Sequence, residues 1–387
     1  MSAAPQLPGP ASHQASVPRA VATPARREQA LDALRGFAIV FAMAEHFTAF
    51  LQVWYAGYFR EMRLIDQSFA IFKPRVGQVL AMDDGLHAIA VALIPWLTQL
   101  YVFLAAANLA RRPRAEFAAV YPRKMRLFAV LFVAFTLEQM LLARDVGEML
   151  LFGPTQLWCV LLAVIATIYR FGGVWPVAGL FAAAWLRYLV PIHAWEHGLQ
   201  DWLRAAVHPS MFIDAWPDVF LPAATGGFLL MSAVRGGLTR RKTLSLVAAA
   251  VAAIGWYEAT RPAFYVPRDR LFATEHLVTS WASGQAAVLG FLVLLTLGAL
   301  ALDRTRWMRP VPLFSWAGRQ ILPLYLTHKI FFVFFWMPLR DLVATWQGAL
   351  PELTVAEVFP AVGAALLFLA VAQKVKLFEL LSERSHG

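Results

Sequence analysis

REQALDALRGFAIVFAMAEHFTAFLQVW, residues 27–54, opens on charge and then carries roughly 20 largely apolar residues, long enough to cross a bilayer core as a helix. Glu45 and His46 lie inside that run, and Asp32 and Arg35 stand at its entrance. At about 100° per residue, the steps from Arg35 to His46 return the two side chains to one face within about 20°. At 1.5 Å per residue, His46 lies roughly 16 Å deeper than Arg35. Ionisable groups are costly in lipid and turn toward a bundle interior or a water-filled cavity, so this face is a candidate functional face. The plainer alternative is a buried histidine hydrogen-bonded between helices. Asp32 is placed to cap the helix by accepting from its free N–H groups.

The remainder of the chain extends that pattern. Of 387 residues, 59% are hydrophobic and 15% charged, against about 25% charged in an ordinary soluble protein. The formal net charge of +10 comes from short basic clusters between apolar runs, as in cytoplasmic loops, rather than from a nucleic-acid-binding face. Nucleic acid is therefore not an expected partner; membrane lipids are. Cys159 is the only cysteine, which excludes an intramolecular disulfide and argues against a structural zinc site, so no metal is expected. Residues 1–26, rich in Pro, Ala and Ser, read as a disordered cytoplasmic tail without a signal-peptide h-region. Residues 27–376 then form the membrane domain, and 377–387 a short cytoplasmic tail.

Apolar segments fall at about 31–53, 86–110, 125–143, 155–170, 172–192, 217–234, 243–259, 281–302, 319–339 and 354–373. The fold class is thus all-α: a polytopic bundle of about ten transmembrane helices. Basic residues recur on alternate connections, at Arg111, Arg112, Arg114, Arg123, Lys124 and Arg126, at Arg170, at Arg235, Arg240, Arg241 and Lys242, at Arg304, Arg306 and Arg309, and at Lys374 and Lys376. Lys/Arg excess marks the cytoplasmic side, so both termini are expected in the cytoplasm. The connection at about 55–85 departs from the alternation, with Arg60, Arg63, Lys73 and Arg75 offset by Glu61, Asp66, Asp83 and Asp84. The outside connections 193–216 and 258–280 are rich in Trp, His, Arg and carboxylates. Aromatic residues at span ends anchor helices in the headgroup layer; beside carboxylates and arginines they also suit a sugar-binding mouth.

ALDALRGFAIVFAMAEHF (30–47) resembles the first helix of the membrane-bound acyltransferase-3 family, where an arginine, ten residues and a histidine form the signature. The heparan-α-glucosaminide N-acetyltransferase-like and glucan-succinylating relatives share its LD-x-x-RG opening. AGRQILPLYLTHKIF (317–331) resembles that family's G-(K/R)-x-S-L-x-x-Y-L-x-H helix, with Tyr325 and His328 in the matching positions. YVFLAAANLARR (101–112), YPRKMRLFAVL (121–131) and QLWCVLL (156–162), which contains Trp158, are weaker matches. The sequence departs from the family at Ala105-Ala106, where Ser-Gly is usual, and at Gln156, where histidine is common.

The resemblance implies an integral-membrane acyltransferase of the bacterial inner membrane. It would move an acetyl- or succinyl-like group from acyl-CoA, a cosubstrate rather than a resident cofactor, to a hydroxyl or amine of a glycan or lipid-linked acceptor outside. Such transfer needs a base for the acceptor proton or a nucleophile to hold the acyl group, and histidine serves either role. The candidate catalytic residues are His46, Glu45 and His328. Glu45 points ~100° away from His46 around the helix, so the two are not read as a dyad. His328, nine residues beyond Arg319, lies roughly 13 Å into its span, a depth similar to that of His46. Arg35, Arg123, Lys124 and Arg126 suit the phosphates of the donor, because a guanidinium offers a planar fork; positive-inside topology explains the last three equally well. Glu138 is a further intramembrane carboxylate whose partner is open between an arginine and a histidine. A second function also fits: a proton-coupled transporter or flippase with His46, Glu138 and His328 as its relay. The absence of a visible internal repeat counts against it.

Overall fold

A computed structural model describes residues 29–55, 83–142, 153–189, 192–206, 217–263, 278–305, 312–347 and 353–374, and all its elements among these residues are helical. In chain order they are α1 (Gln29–Tyr55), α2 (Asp84–Ala110), α3 (Arg114–Leu142), α4 (Pro154–Gly172), α5 (Val174–Ala184), α6 (Ile192–Ala206) and α7 (Pro217–Val234). Then come α8 (Arg240–Thr260), α9 (Ala282–Thr305), α10 (Pro312–Arg319), α11 (Ile321–Phe331), a π-helical turn (Phe332–Trp336), α12 (Met337–Gln347) and α13 (Val355–Lys374). The expected tails 1–26 and 377–387 lie outside the described residues, as do most of the 55–85 connection and parts of 193–216 and 258–280.

Six helical runs among the described residues are long and apolar enough to cross a membrane: Asp84–Ala110, Pro154–Gly172, Arg240–Thr260, Ala282–Asp303, Ile321–Ala344 and Val355–Gln373. Val219–Val234 is apolar but shorter. The multi-pass helical class expected from the sequence is thus seen, with six such spans among the described residues rather than the expected ten or so. The segment expected at 172–192 is not one span. Gly173 takes φ 83°, a conformation open to glycine, and ends α4. The following α5 has 11 residues, roughly 16 Å, about half of a bilayer core. The third helix begins at Arg114, so Arg123, Lys124 and Arg126 lie on its shaft rather than in a loop.

Glycines set the closest helix crossings. Between α1 and α10 the backbones meet at Gly36 and Gly318. A Cβ on Gly36 would strike the Phe314 carbonyl oxygen, and one on Gly318 would strike the Asp32 carbonyl oxygen. Gly227 of α7 lies in the same way against the Phe103 backbone of α2. Small residues let backbones approach where lipid supplies no hydrophobic drive for helix association. The opposite faces are apolar and outward: Val130, Val133 and Leu137 on α3, Leu367 and Val371 on α13, all exposed. Such surface is stable against lipid rather than water. Trp175 and Trp346, 87% and 88% exposed, stand near helix ends, where indoles favour the headgroup layer.

Two carboxylates close free helix N-termini. Asp83 accepts from Leu86 N–H at 2.6 Å through Oδ1 and from Val355 N–H at 3.1 Å through Oδ2, tying α2 to α13. Asp303 Oδ1 accepts from Ala30 N–H at 2.9 Å at the start of α1. Asp303 of α9 thus serves one of the free N–H groups of α1, and Asp32, expected to cap this end, holds Arg35 at 3.1 Å.

The α1–α10 crossing makes a sharp prediction. Gly318→Ala should destabilise the protein by about 1–3 kcal/mol, the usual result of overpacking, read as a lower unfolding midpoint in detergent. Gly363→Ala, whose Cβ meets nothing within 4 Å, should be neutral or stabilise by up to about 1 kcal/mol. Equal midpoints for the two variants would contradict the close crossing.

Candidate functional site

The α1–α10 crossing leads directly into α11, and this places His328 beside His46. His46 Nδ1 and His328 Nε2 are 2.7 Å apart, with the rings nearly coplanar, 10° between their planes. His328 is buried, and its Nδ1 lies 2.8 Å from the Leu324 carbonyl oxygen, one turn back in α11. These partners assign the protons. The Leu324 carbonyl can only accept, so His328 Nδ1 carries a hydrogen and donates it. In a neutral ring that leaves the lone pair on His328 Nε2, and His46 Nδ1 must donate to it. The lone pair of His46 then sits on Nε2. The chain Leu324–His328–His46 thus fixes ring orientation and tautomer together, as a third group does for the base of a catalytic triad. Both sequence readings of His46 meet here: it is bonded between helices, and the bond presents a basic nitrogen.

Tyr325 forms the floor of the site. Its ring meets His46 at 5.8 Å, His328 at 5.5 Å, Tyr101 at 5.7 Å, Phe135 at 5.8 Å and Trp158 at 5.6 Å between centroids, all edge to face. Edge-to-face contact sets the positive rim of one ring on the negative face of another and adds about 0.5–1.5 kcal/mol per pair beyond burial. Side chains from α1, α2, α3, α4 and α11 therefore converge on one tyrosine.

The partner of Glu138 is Lys329, neither an arginine nor a histidine. Lys329 Nζ lies 3.7 Å from Glu138 Oε2 and 5.7 Å from the Tyr325 ring centre. Both side chains are buried, to 11% and 2% exposure. The sequence reading missed this lysine, although a charged residue directly after His328 within an apolar run was the available signal. It also missed Tyr101.

The remaining candidates are arranged less tightly. Glu45 is half-buried on α1. Arg35 stays at the entrance of α1 with Asp32, about 16 Å along the helix from His46. Arg123 and Arg126 are exposed on α3, and Lys124 is half-buried there. Gln156 accepts from Gly153 N–H at 2.7 Å and donates to Thr136 Oγ1 at 3.2 Å. It pins the start of α4 to α3, a structural task for a residue that replaces a histidine in the resembled family. Among the described residues no group of three or more His, Cys, Asp or Glu side chains is gathered to hold a metal ion.

Comparison with protein-family models, curated proteins and solved structures found no match.

The buried ion pair predicts a strongly non-additive cycle. Glu138→Gln should destabilise by about 3–5 kcal/mol, because it leaves the ammonium of Lys329 without its counter-charge. Glu138→Leu combined with Lys329→Met should recover most of that loss. Thermal unfolding in detergent checks it; additive losses in the double variant would show that the two charges are not coupled.

Proposed function

We propose that this protein is a multi-pass acyltransferase of the bacterial inner membrane. It moves an acetyl- or succinyl-like group from acyl-CoA to a hydroxyl or amine of a glycan or lipid-linked acceptor at the extracytoplasmic face. The observation that carries the reading is the Leu324–His328–His46 chain, which gives a membrane helix an oriented base at the position where the resembled family carries its histidine. In the proposed reaction His46 Nε2 takes the acceptor proton as the acceptor oxygen or nitrogen bonds to the thioester carbon. The carbonyl electron pair moves onto oxygen. It then returns as the carbon–sulfur bond breaks, and the departing thiolate takes the proton from the His46 imidazolium. Arg35, held by Asp32, and Arg123, Lys124 and Arg126 on α3 supply cationic groups for the phosphates of the donor.

The proposed topology is about ten crossings, with both termini in the cytoplasm. Its support is the alternation of basic connections together with helices outside the six clearest spans, such as the 27-residue α1 and 29-residue α3. A proton-coupled transporter draws on the same histidine chain and the Glu138–Lys329 pair. It predicts solute-dependent proton flux in vesicles with no consumption of acyl-CoA.

Two measurements test the proposal. Membranes containing the wild type should transfer label from acetyl- or succinyl-CoA to an acceptor, and His46→Gln should lose about 10²–10⁴-fold of that rate while still inserting. Normal turnover by His46→Gln would remove His46 from the reaction. In a Cys159→Ser background, a cysteine replacing the exposed Trp202 should react with an impermeant maleimide from outside intact cells. One replacing Arg241 should not, and the reverse pattern would invert the topology.

A further inference from the structure

Tyr101 and Trp158 are 7% and 8% exposed, and their rings stack at 5.7 Å with 23° between planes. Each carries one hydrogen-bond donor at its polar end. Neither Tyr101 Oη nor Trp158 Nε1 has a hydrogen-bond partner among the described residues. A buried donor without an acceptor costs about 1–3 kcal/mol, and buried tyrosine and tryptophan normally find one. Two such donors on stacked rings, from two different helices, are an expensive arrangement for a packing role alone. Both rings also meet the face or edge of Tyr325, which contacts His46 and His328 in turn. The two rings that carry the donors are therefore separated from the base by one aromatic ring.

We propose that Tyr101 Oη and Trp158 Nε1 form a two-donor site for the carbonyl oxygen of an acyl thioester. This rests on the acyl-transfer reading and deepens it by naming where the acyl group sits. The chemistry of the pair selects the ligand. Both groups offer N–H or O–H and the indole cannot accept, so the atom they take is an acceptor that becomes more negative as the reaction proceeds. In acyl transfer that atom is the carbonyl oxygen. When the acceptor oxygen bonds to the carbonyl carbon, the π pair moves onto the carbonyl oxygen, and two fixed donors in a site closed to water stabilise the resulting charge. When the carbon–sulfur bond breaks the pair returns, the carbonyl re-forms and the product ester leaves the donors. The surrounding Phe135, Tyr325 and Phe220 rings keep the site apolar, which strengthens both hydrogen bonds.

Tyr101→Phe is the direct test, because it removes one oxygen atom and keeps the ring. With purified full-length protein and acetyl- or succinyl-CoA, the variant should lose about 10²-fold or more in kcat, with KM for the donor changed little. In the absence of donor its unfolding midpoint should equal or exceed that of the wild type, since an unpaired buried hydroxyl has gone. Isotope-edited infrared spectra with a 13C-carbonyl thioester should show the bound carbonyl stretch below its value in water for the wild type, and moved back toward it in Tyr101→Phe. Trp158→Phe should shift the stretch in the same direction. If the wild type turns over the donor and Tyr101→Phe does so equally fast, the site is overturned while acyl transfer stands. If Tyr101→Phe instead lowers the midpoint and leaves kcat unmoved, the hydroxyl is structural and the site is again overturned. A wild type that neither binds nor consumes any acyl thioester overturns the acyl-transfer reading and this site with it.

Discussion

The hydrogen bond between His46 Nδ1 and His328 Nε2 is the contact on which the rest of the site depends. It forms only if α1 and α11 run side by side at the right depth, and α11 is placed by the backbone crossing of Gly36 with Gly318 one short helix earlier. It has direction only because His328 is itself held by the Leu324 carbonyl. One main-chain oxygen thus determines which nitrogen of His46 carries a lone pair. In a bilayer this is an economical way to set a tautomer, since it needs no buried ion.

The other polar groups follow the same constraint. Lipid offers no partners, so each must be satisfied inside the bundle or left for a ligand. Asp83, Asp303 and Gln156 satisfy helix ends. Glu138 and Lys329 neutralise one another next to the tyrosine floor. Gln99 and Gln285 bond across α2 and α9 at 2.9 Å. Tyr101 Oη and Trp158 Nε1 share with Glu138 Oε1 and Oε2, Asp303 Oδ2 and Gln285 Oε1 the lack of a hydrogen-bond partner among the described residues, and differ in that their rings pack on the tyrosine that touches both histidines.

What the sequence revealed was whatever lies along one helix. The shared face of Arg35 and His46 follows from helical geometry, and the similar depth of His328 follows from its distance from Arg319. His46 and His328 proved to lie in the one cluster, while Arg35 stays with Asp32 at the start of α1. Partnerships across helices were not legible, since they depend on packing rather than on periodicity. Lys329 was hidden beside a more familiar histidine, and the carboxylate that accepts from Ala30 N–H at α1's N-terminus belongs to Asp303, far away in sequence. Hydropathy also failed at residues 172–192, where the helix ends after 11 residues at Ala184 and gives way to a 3-10 turn over Leu186–Tyr188. Composition alone does not register a break of that kind.

The tautomer chain can be read directly by 15N NMR of histidine-labelled protein in bilayers at pH 8, with His46→Gln and His328→Gln samples assigning the signals. The account predicts two neutral rings in the bundle interior, both protonated on Nδ1, with the Nε2 of His328 shifted by an accepted hydrogen bond. Replacing His328 should release the His46 ring to a mixture of tautomers. A His46 protonated on Nε2 in the wild type, or one whose spectrum is unaltered by the loss of His328, would contradict it.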